Sequence, residues 1–416
     1  PVTIIFDEAI DEESVNDDTF AVFGSQSPRV SGDYVFTDLS RNITLFPSRL
    51  YFPGELIQAT VTTGTQNITG EHSLSSTVWQ FRTGVSGGSG MFESLATFYL
   101  PMAGRDVVPG DFDNDRDLDV LLIGETGANS VWLNAGEIRF VSGPELTPTI
   151  GWSAAAAVGD FDGDGNLDVL IAKQDADEVW HNQGNGVLTL TQWLGNTPSY
   201  DIAVGDVDGD GDLDALVTKG SGTEIWVNLG GRQGGTPGMF GDVLPPLNSP
   251  NHQAVALGDL DGDGDLDAFV GLSAGTGDEV WLNDGLGNFS QTAQSLDVAN
   301  SQDVALGDLD GDGDADAFVV NDVNAGNTVW INQGGAQGGT PGWFTNNGQI
   351  LGVANSYAVA LGDVDADGDL DAVVANSGVS ERANVVYINN GQGQFAAQPL
   401  PDDAQSFGIA LGDIDN

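Results

Sequence analysis

Apolar residues in this chain stand in short runs broken by Gly, Asn, Asp and Ser, with no helical periodicity anywhere. One stretch shows the unit. Ala254-Val-Ala-Leu257 is followed by an acidic, glycine-containing segment and then by Ala268-Phe-Val270. A polar stretch leads to Glu279-Val-Trp-Leu-Asn283, the turn Asp284-Gly-Leu-Gly-Asn288, and Phe289, which opens another extended run. The pattern predicts four short strands in about 50 residues, with the continuous apolar runs buried on both faces.

The unit repeats, and its third strand carries a marker. Val131-Trp132-Leu-Asn134, Val179-Trp180-His-Asn182, Ile225-Trp226-Val-Asn228, Val280-Trp281-Leu-Asn283, Val329-Trp330-Ile-Asn332 and Val386-Tyr387-Ile-Asn389 align. Four strands per copy at this period predict the blades of a β-propeller, since a calcium-binding solenoid repeats over far fewer residues. An aromatic at one fixed place in every copy predicts packing between blades rather than sugar stacking.

Charge sharpens the picture. The 416 residues include 62 Asp+Glu against 11 Lys+Arg, a formal net charge of -51. Such a chain lacks the basic footprint of a nucleic-acid binder and is repelled by anionic membrane surfaces. No apolar run approaches a membrane-spanning length. At 40% hydrophobic residues with 9 Trp, it still has enough apolar side chains to build cores. Cysteine is absent, which removes disulfides, thiolate metal sites and thiol nucleophiles.

The acids are ordered. Gly-Asp-x-Asp recurs seven times, at spacings of 49, 46, 53, 49, 55 and 50 residues. The first copy places Asp111, Asp113, Asp115, Asp117 and Asp119 at alternate positions, and the second Asp160, Asp162, Asp164, Asn166 and Asp168. The third has Asp206, Asp208, Asp210, Asp212 and Asp214, and the fourth Asp259, Asp261, Asp263, Asp265 and Asp267. The fifth has Asp308, Asp310, Asp312, Asp314 and Asp316, the sixth Asp363, Asp365, Asp367, Asp369 and Asp371, and a seventh begins with Asp413 and Asp415. Thirty-one of the 62 acids stand in these loops.

Carboxylates at alternate positions repel one another unless a hard cation gathers them. Ca²⁺ takes six to eight oxygens, and a tight loop with oxygens at positions 1, 3, 5, 7 and 9 wraps it. Gly at position 6 (Gly165, Gly211, Gly264, Gly313, Gly368) permits the sharp turn. Position 7 contributes its carbonyl, so Asn166 is tolerated there. Position 12 is apolar in a β-like run, which excludes an EF-hand. About one Ca²⁺ per blade is expected, six or seven in all. The first copy departs from the rule, because Arg116 stands where the others have Gly.

These residues resemble the FG-GAP/VCBS repeats of integrin-alpha-like propellers over residues 91–416, with GDxDGDGxLD as the specific motif. The resemblance implies one strand before each loop, one after it, and one structural Ca²⁺ in each. Residues 1–84 alternate like sandwich strands: Val2–Phe6, Phe20–Phe23, Tyr34–Phe36, Ile43–Phe46, Leu56–Val61 and Val78–Phe81. They resemble the bacterial Ig-like domains of surface proteins, with their first strand missing or supplied from elsewhere. Residues 85–90 read as a linker.

Gly87-Gly-Ser-Gly-Met-Phe92 matches Gly234-Gly-Thr-Pro-Gly-Met-Phe240 and Gly338-Gly-Thr-Pro-Gly-Trp-Phe344, which precede fourth strands. Residues 91–100 therefore read as a fourth strand that closes the ring. The expected fold is all-β: a seven-bladed propeller with six complete blades, behind an Ig-like sandwich. Its seventh blade would join residues 91–100 to a first strand at Phe407–Leu411 and be cut off at Asn416.

The leading functional expectation is a non-catalytic, secreted or cell-surface calcium-binding protein, its propeller a platform for adhesion, interaction or surface assembly, with a protein or glycan partner and no nucleic-acid or membrane-insertion role. Two alternatives stand beside it. Trp152, Trp193 and Trp343 lie outside the repeated position and suit a lectin or a module of a polysaccharide-degrading enzyme. A sandwich lacking a strand suits filament assembly by strand addition. His72, His181 and His252 share no motif and no G-x-S-x-G occurs, so no catalytic residue is assigned.

Overall fold

The computed structural model describes every residue except 86–87, 91, 93–103, 125–128, 137–138, 147–150, 231–232, 274–276, 297–298, 323–324, 378–382, 401–404 and 415–416. The first 82 residues form two three-stranded antiparallel sheets. One orders β1 (Val2–Ile5), β4 (Asn42–Pro47) and β3 (Gly32–Thr37); the other orders β2 (Phe20–Gly24), β5 (Leu56–Val61) and β6 (Thr77–Arg82). Inward residues of both sheets meet in one core of Phe20, Val22, Ile43, Leu45, Ile57 and Ala59, edged by Tyr34 and Trp79. All six expected strands are present.

From Gly104 the chain builds six four-stranded antiparallel sheets, each strand bonded to the next in sequence. Blade 1 is β7–β10 (Gly104–Gly110, Asp119–Gly124, Asn129–Asn134, Phe140–Leu146) and blade 2 is β11–β14 (Ser153–Gly159, Asp168–Lys173, Asp177–Asn182, Leu188–Leu194). Blade 3 is β15–β18 (Ser199–Gly205, Asp214–Lys219, Gly222–Asn228, Phe240–Leu247) and blade 4 is β19–β22 (His252–Gly258, Asp267–Leu272, Glu279–Leu282, Ser290–Gln291). Blade 5 is β23–β26 (Asn300–Gly307, Asp316–Asp322, Thr328–Asn332, Phe344–Asn346) and blade 6 is β27–β30 (Ser356–Gly362, Asp371–Asn376, Val385–Asn389, Phe395–Pro399). The fold is an all-β propeller.

Side-chain size sets the layers. Innermost strands are small, as in Ser153-Ala-Ala-Ala-Ala-Val-Gly159, and adjoin one another from blade 1 to blade 6. Second strands such as Asp214–Lys219 are buried at every residue, matching their continuous apolar runs. Trp180 packs with Phe112, Leu121 and Val131 of the preceding blade, so the repeated aromatic belongs to the inter-blade core. The Gly that ends each innermost strand is required by close packing. A Cβ on Gly110, Gly159 or Gly205 would stand 2.7 Å from Cδ1 of Leu167, Leu213 or Leu266 in the next blade's loop.

Two expectations meet limits here. Residues 407–411 do not form a strand. An innermost strand takes its ladder from the strand after its own loop, and among the described residues no such partner stands beside this segment. It nevertheless fills the space between blades 6 and 1. Its Phe407 ring meets Tyr357 edge-on at 5.0 Å, and a Cβ on Gly412 would stand 2.7 Å from Leu118 Cδ1. The expected closing strand at 91–100 lies outside the described residues, apart from Phe92.

Candidate metal centres

Each aspartate loop joins the first strand of a blade to its second, and its own backbone shapes it. The residue at position 6 adopts a left-handed conformation throughout: Gly165, Gly211, Gly264, Gly313 and Gly368 have φ between 86° and 99°. Position 4 does the same, at Asn114, Gly163, Gly209, Gly262, Gly311 and Ala366. These two reversals turn successive carboxylates inward. The loop's own N–H groups then take one oxygen from each early carboxylate. Gly165 N donates to Asp160 Oδ2 (3.0 Å), Asp164 N to Asp162 Oδ1 (3.1 Å), and Asn166 N to Asp164 Oδ1 (2.9 Å).

The other oxygens point at one another. Triplets Asp111–Asp113–Asp115, Asp160–Asp162–Asp164, Asp206–Asp208–Asp210 and Asp259–Asp261–Asp263 each place three carboxylate oxygens within 4.8 Å. No hydrogen-bond donor reaches the buried Asp111 Oδ1, Asp160 Oδ1, Asp310 Oδ1 or Asp312 Oδ2. A buried carboxylate oxygen without a donor is costly unless a cation supplies the missing charge. The hard, all-oxygen set suits Ca²⁺. Asp117, Asp212, Asp265, Asp314 and Asp369 stand at the seventh position, and Asp308, Asp363, Asp365 and Asp367 complete their loops in the same pattern.

The position-9 aspartates serve a second purpose. Asp168 Oδ2 accepts from Phe161 N (3.0 Å) and Oδ1 from Asn182 N (2.8 Å), which pins the loop to the third strand. Asp119, Asp214, Asp267, Asp316 and Asp371 make the same pair of bonds. Desolvation raises their carboxyls, to about 8 for Asp168 and Asp267 and about 7 for Asp119 and Asp316. Asp206 and Asp214 are also raised, by burial first and then by neighbouring carboxylates. Charge of one sign has been gathered where water cannot relieve it. Asp413 occupies position 1 of the seventh copy; Asp415 lies outside the described residues.

The first loop differs. Arg116 adopts φ 77° at the glycine position, and Arg49 of the sandwich places Nη2 2.9 Å from Asp111 Oδ2. A guanidinium therefore already neutralises part of this site. Arg49 belongs to a larger contact that sequence reasoning missed: the sandwich sits on the loop face of the propeller. Arg29 N donates to Asp160 Oδ2 (3.2 Å), Asp111 N to Gln26 O (3.1 Å), Gln26 Nε2 to Leu411 O (3.0 Å), and Val78 N to Gly264 O (2.6 Å). A cleft of about 770 Å³ remains between Thr62–Gly64 and the loops of blades 2 and 3.

The asparagines of the third-strand marker were visible in the sequence, but their role was not. Asn182 Nδ2 donates to Phe112 O, Asn228 Nδ2 to Phe161 O, Asn283 Nδ2 to Val207 O, Asn332 Nδ2 to Leu260 O, and Asn389 Nδ2 to Leu309 O, all at 2.7–2.8 Å. Each acceptor is position 2 of the preceding blade's loop. The latch thus ties every loop to the next blade.

The histidines are dispersed. His252 is fully buried between Thr223 Oγ1 (2.7 Å) and Glu279 Oε2 (3.5 Å), a hydroxyl–imidazole–carboxylate row sealed from solvent. His72 lines the cleft. His181 places Nδ1 3.5 Å from Asp162 Oδ2. Of the remaining tryptophans, Trp152 lies under Arg105 (4.6 Å), while Trp193 and Trp343 are 63% and 44% exposed.

Aspartate loops between the first and second strands of successive blades, each latched to its neighbour, define a repeat propeller of the aspartate-loop class. The chain belongs to the FG-GAP-like repeat family, whose model matches residues 111–171, 160–217, 206–270, 259–319, 308–374 and 363–416. Residues 1–83 match the bacterial Ig-like domain. No curated protein sequence matches the chain. Among solved structures, it is similar to the BP39L lectin from Burkholderia pseudomallei, with 17% identity, a TM-score of 0.53, and coverage of 84% of this chain and 100% of that one. A Lactobacillus plantarum protein is similar at 14% identity and a TM-score of 0.52, covering 93% and 96%. An Agrocybe aegerita lectin that recognises non-reducing terminal N-acetylglucosamine aligns at 18% identity and a TM-score of 0.49, covering 94% and 93%. No helix among the described residues is long and apolar enough to cross a membrane.

Proposed function

We propose that this protein is a non-catalytic binding platform whose propeller is held together by Ca²⁺, about one ion per aspartate loop, and that it acts outside the cell or on its surface. The observation that carries the reading is the set of buried carboxylate oxygens that no donor reaches in the loops of blades 1, 2, 5 and 6, together with the clustered carboxylates of blades 3 and 4. Loops of this open kind fill at the 10⁻⁴–10⁻³ M calcium found outside cells, which the cytosol does not offer. Ig-like and FG-GAP-like repeats are typical of extracellular and surface proteins, which supports the same placement. Each ion would bridge carboxylates that otherwise repel, and would fix the loop that the neighbouring blade's asparagine grips.

Because the sandwich covers part of the loop face, a partner has the rim and the opposite face available. A glycan partner is the second reading, favoured by Trp193 and Trp343, whose exposed rings are of the kind that stack on sugars. A glycan array probed with the whole chain at millimolar calcium tests it. Binding that is lost in Trp193→Ala or Trp343→Ala supports the glycan reading; no binding to any glycan directs the search to protein partners.

A further inference from the structure

The third strand of blade 2 breaks the repeat at one residue. His181 stands where the other blades have Leu133, Val227, Leu282, Ile331 and Ile388. Its side chain is 13% exposed and directed at the second aspartate loop. A nitrogen of His181 and carboxylate oxygens of Asp162 and Asp168 all lie within 4.8 Å of one another.

The ring's orientation can be derived from its neighbours. His181 Nε2 lies 3.0 Å from Gly238 O, and a carbonyl only accepts, so Nε2 carries the hydrogen. The close approach depends on Gly238 having no side chain: its φ is +74°, and a Cβ there would stand 2.7 Å from Nε2. With Nε2 donating to that carbonyl, the ring turns Nδ1 toward Asp162 Oδ2 at 3.5 Å. A ring nitrogen and a carboxylate oxygen in this arrangement are joined either by a proton on Nδ1 or by a metal cation between them. An imidazole that donates its far N–H to a backbone carbonyl and aims its near nitrogen at carboxylates has the orientation of a metal-ligating histidine. A second observation in the same loop points to a ligand. Asp160 is 3% exposed, its Oδ1 has no hydrogen-bond partner, and its triplet shares Asp162 with the histidine cluster.

We propose that the second repeat binds a first-row transition-metal dication of the Zn²⁺ type through His181 Nδ1, Asp162 and Asp168, whereas the all-oxygen loops of the other repeats take Ca²⁺. Imidazole nitrogen suits Zn²⁺ and its neighbours in the series, while carboxylate and carbonyl oxygen suit Ca²⁺. The proposal rests on the reading of the loops as metal sites, but its donor set adds the His181 nitrogen to carboxylates that the loop shares, and that nitrogen is tested separately.

The experiment uses the whole chain, stripped with chelator and dialysed against millimolar Ca²⁺ with micromolar Zn²⁺, followed by metal analysis of the protein. The expected result is one equivalent of Zn²⁺ retained against excess Ca²⁺. In His181→Leu, which installs the residue found in blades 1 and 4, Zn²⁺ affinity falls roughly tenfold or more, while the calcium-dependent melting temperature stays as in the native chain. Co²⁺ titration gives a second readout: visible absorption bands that change between the native chain and His181→Leu. No retained Zn²⁺, or equal retention in His181→Leu, overturns the proposal and leaves His181 as an imidazolium partner of Asp162. Failure of the calcium reading would instead show as a melting temperature indifferent to Ca²⁺ in both proteins.

Discussion

Asn134 Nδ2 donates to the carbonyl of Ile414 at 3.0 Å, joining residues at opposite ends of the repeat region. Ile414 stands at position 2 of the seventh aspartate loop, so this bond is the same latch that ties blades 2 to 6 to their predecessors. The ring therefore closes by repeating its internal contact across the gap between blade 6 and blade 1.

If the latch holds the blades in place, removing one strands buried acceptors. Asn228 is fully buried, donates to Phe161 O and Leu213 O, and accepts from Gly230 N and Gly238 N. Asn228→Ala is expected to cost about 2–3 kcal/mol of stability, measured by urea denaturation at saturating calcium. A loss below about 0.5 kcal/mol would mean that the latch follows blade packing rather than supporting it.

The first loop should respond to Arg49. With the guanidinium 2.9 Å from Asp111 Oδ2, positive charge already occupies part of the site and opposes an incoming dication. Arg49→Met is expected to raise the calcium affinity of that loop by roughly tenfold, about 1.4 kcal/mol. Calorimetric titration would show one ion moving into a tighter class. An unchanged isotherm would remove Arg49 from the account of this site.

A pH dependence is built into the propeller's axis. Asp106, Asp201 and Asp303 come from alternate innermost strands and line one small cavity. Each bridges two blades, as Asp201 does by accepting from Ile202 N (2.8 Å) and Val255 N (2.9 Å). Desolvation raises all three carboxyls, Asp201 to about 7; Asp106 raises Asp201 further, and Asp201 and Asp106 together raise Asp303. Raised folded-state values mean that the folded chain holds more protons than the unfolded one between about pH 4 and 7. Their contribution is complete below that window and is lost as pH rises through it. At saturating calcium, the melting temperature should fall from pH 5 to pH 8, and Asp201→Asn should flatten the fall. A slope unaltered by Asp201→Asn would contradict the assignment.

Much of this architecture was legible in the sequence because it depends on short-range rules. Alternating or continuous apolar runs placed the sandwich strands and the buried second strands. The recurring aspartates and glycines showed where each loop would reverse, although the left-handed residue at position 4, glycine in only four copies, was not picked out. What remained hidden depends on distance along the chain. The latch was visible as a repeated Asn, but its acceptor is 67–80 residues away in blades 2 to 6. The docking of the sandwich uses backbone groups, that of Arg29 among them, and the side chains of Gln26 and Arg49, which carry no motif. Residues 407–411 have the composition of a strand but have no ladder partner among the described residues, and composition alone does not make a ladder.

The central claim is that the aspartate loops hold calcium and that the fold depends on it. The most direct measurement is the melting temperature of the whole chain, metal-stripped with EGTA and then titrated with Ca²⁺. Ions that bind only the folded state stabilise it by about 1.4 kcal/mol per site at tenfold excess over Kd. The account predicts a rise of at least about 5 °C that saturates in the millimolar range. A melting temperature that is the same in EGTA and in millimolar Ca²⁺ would contradict it.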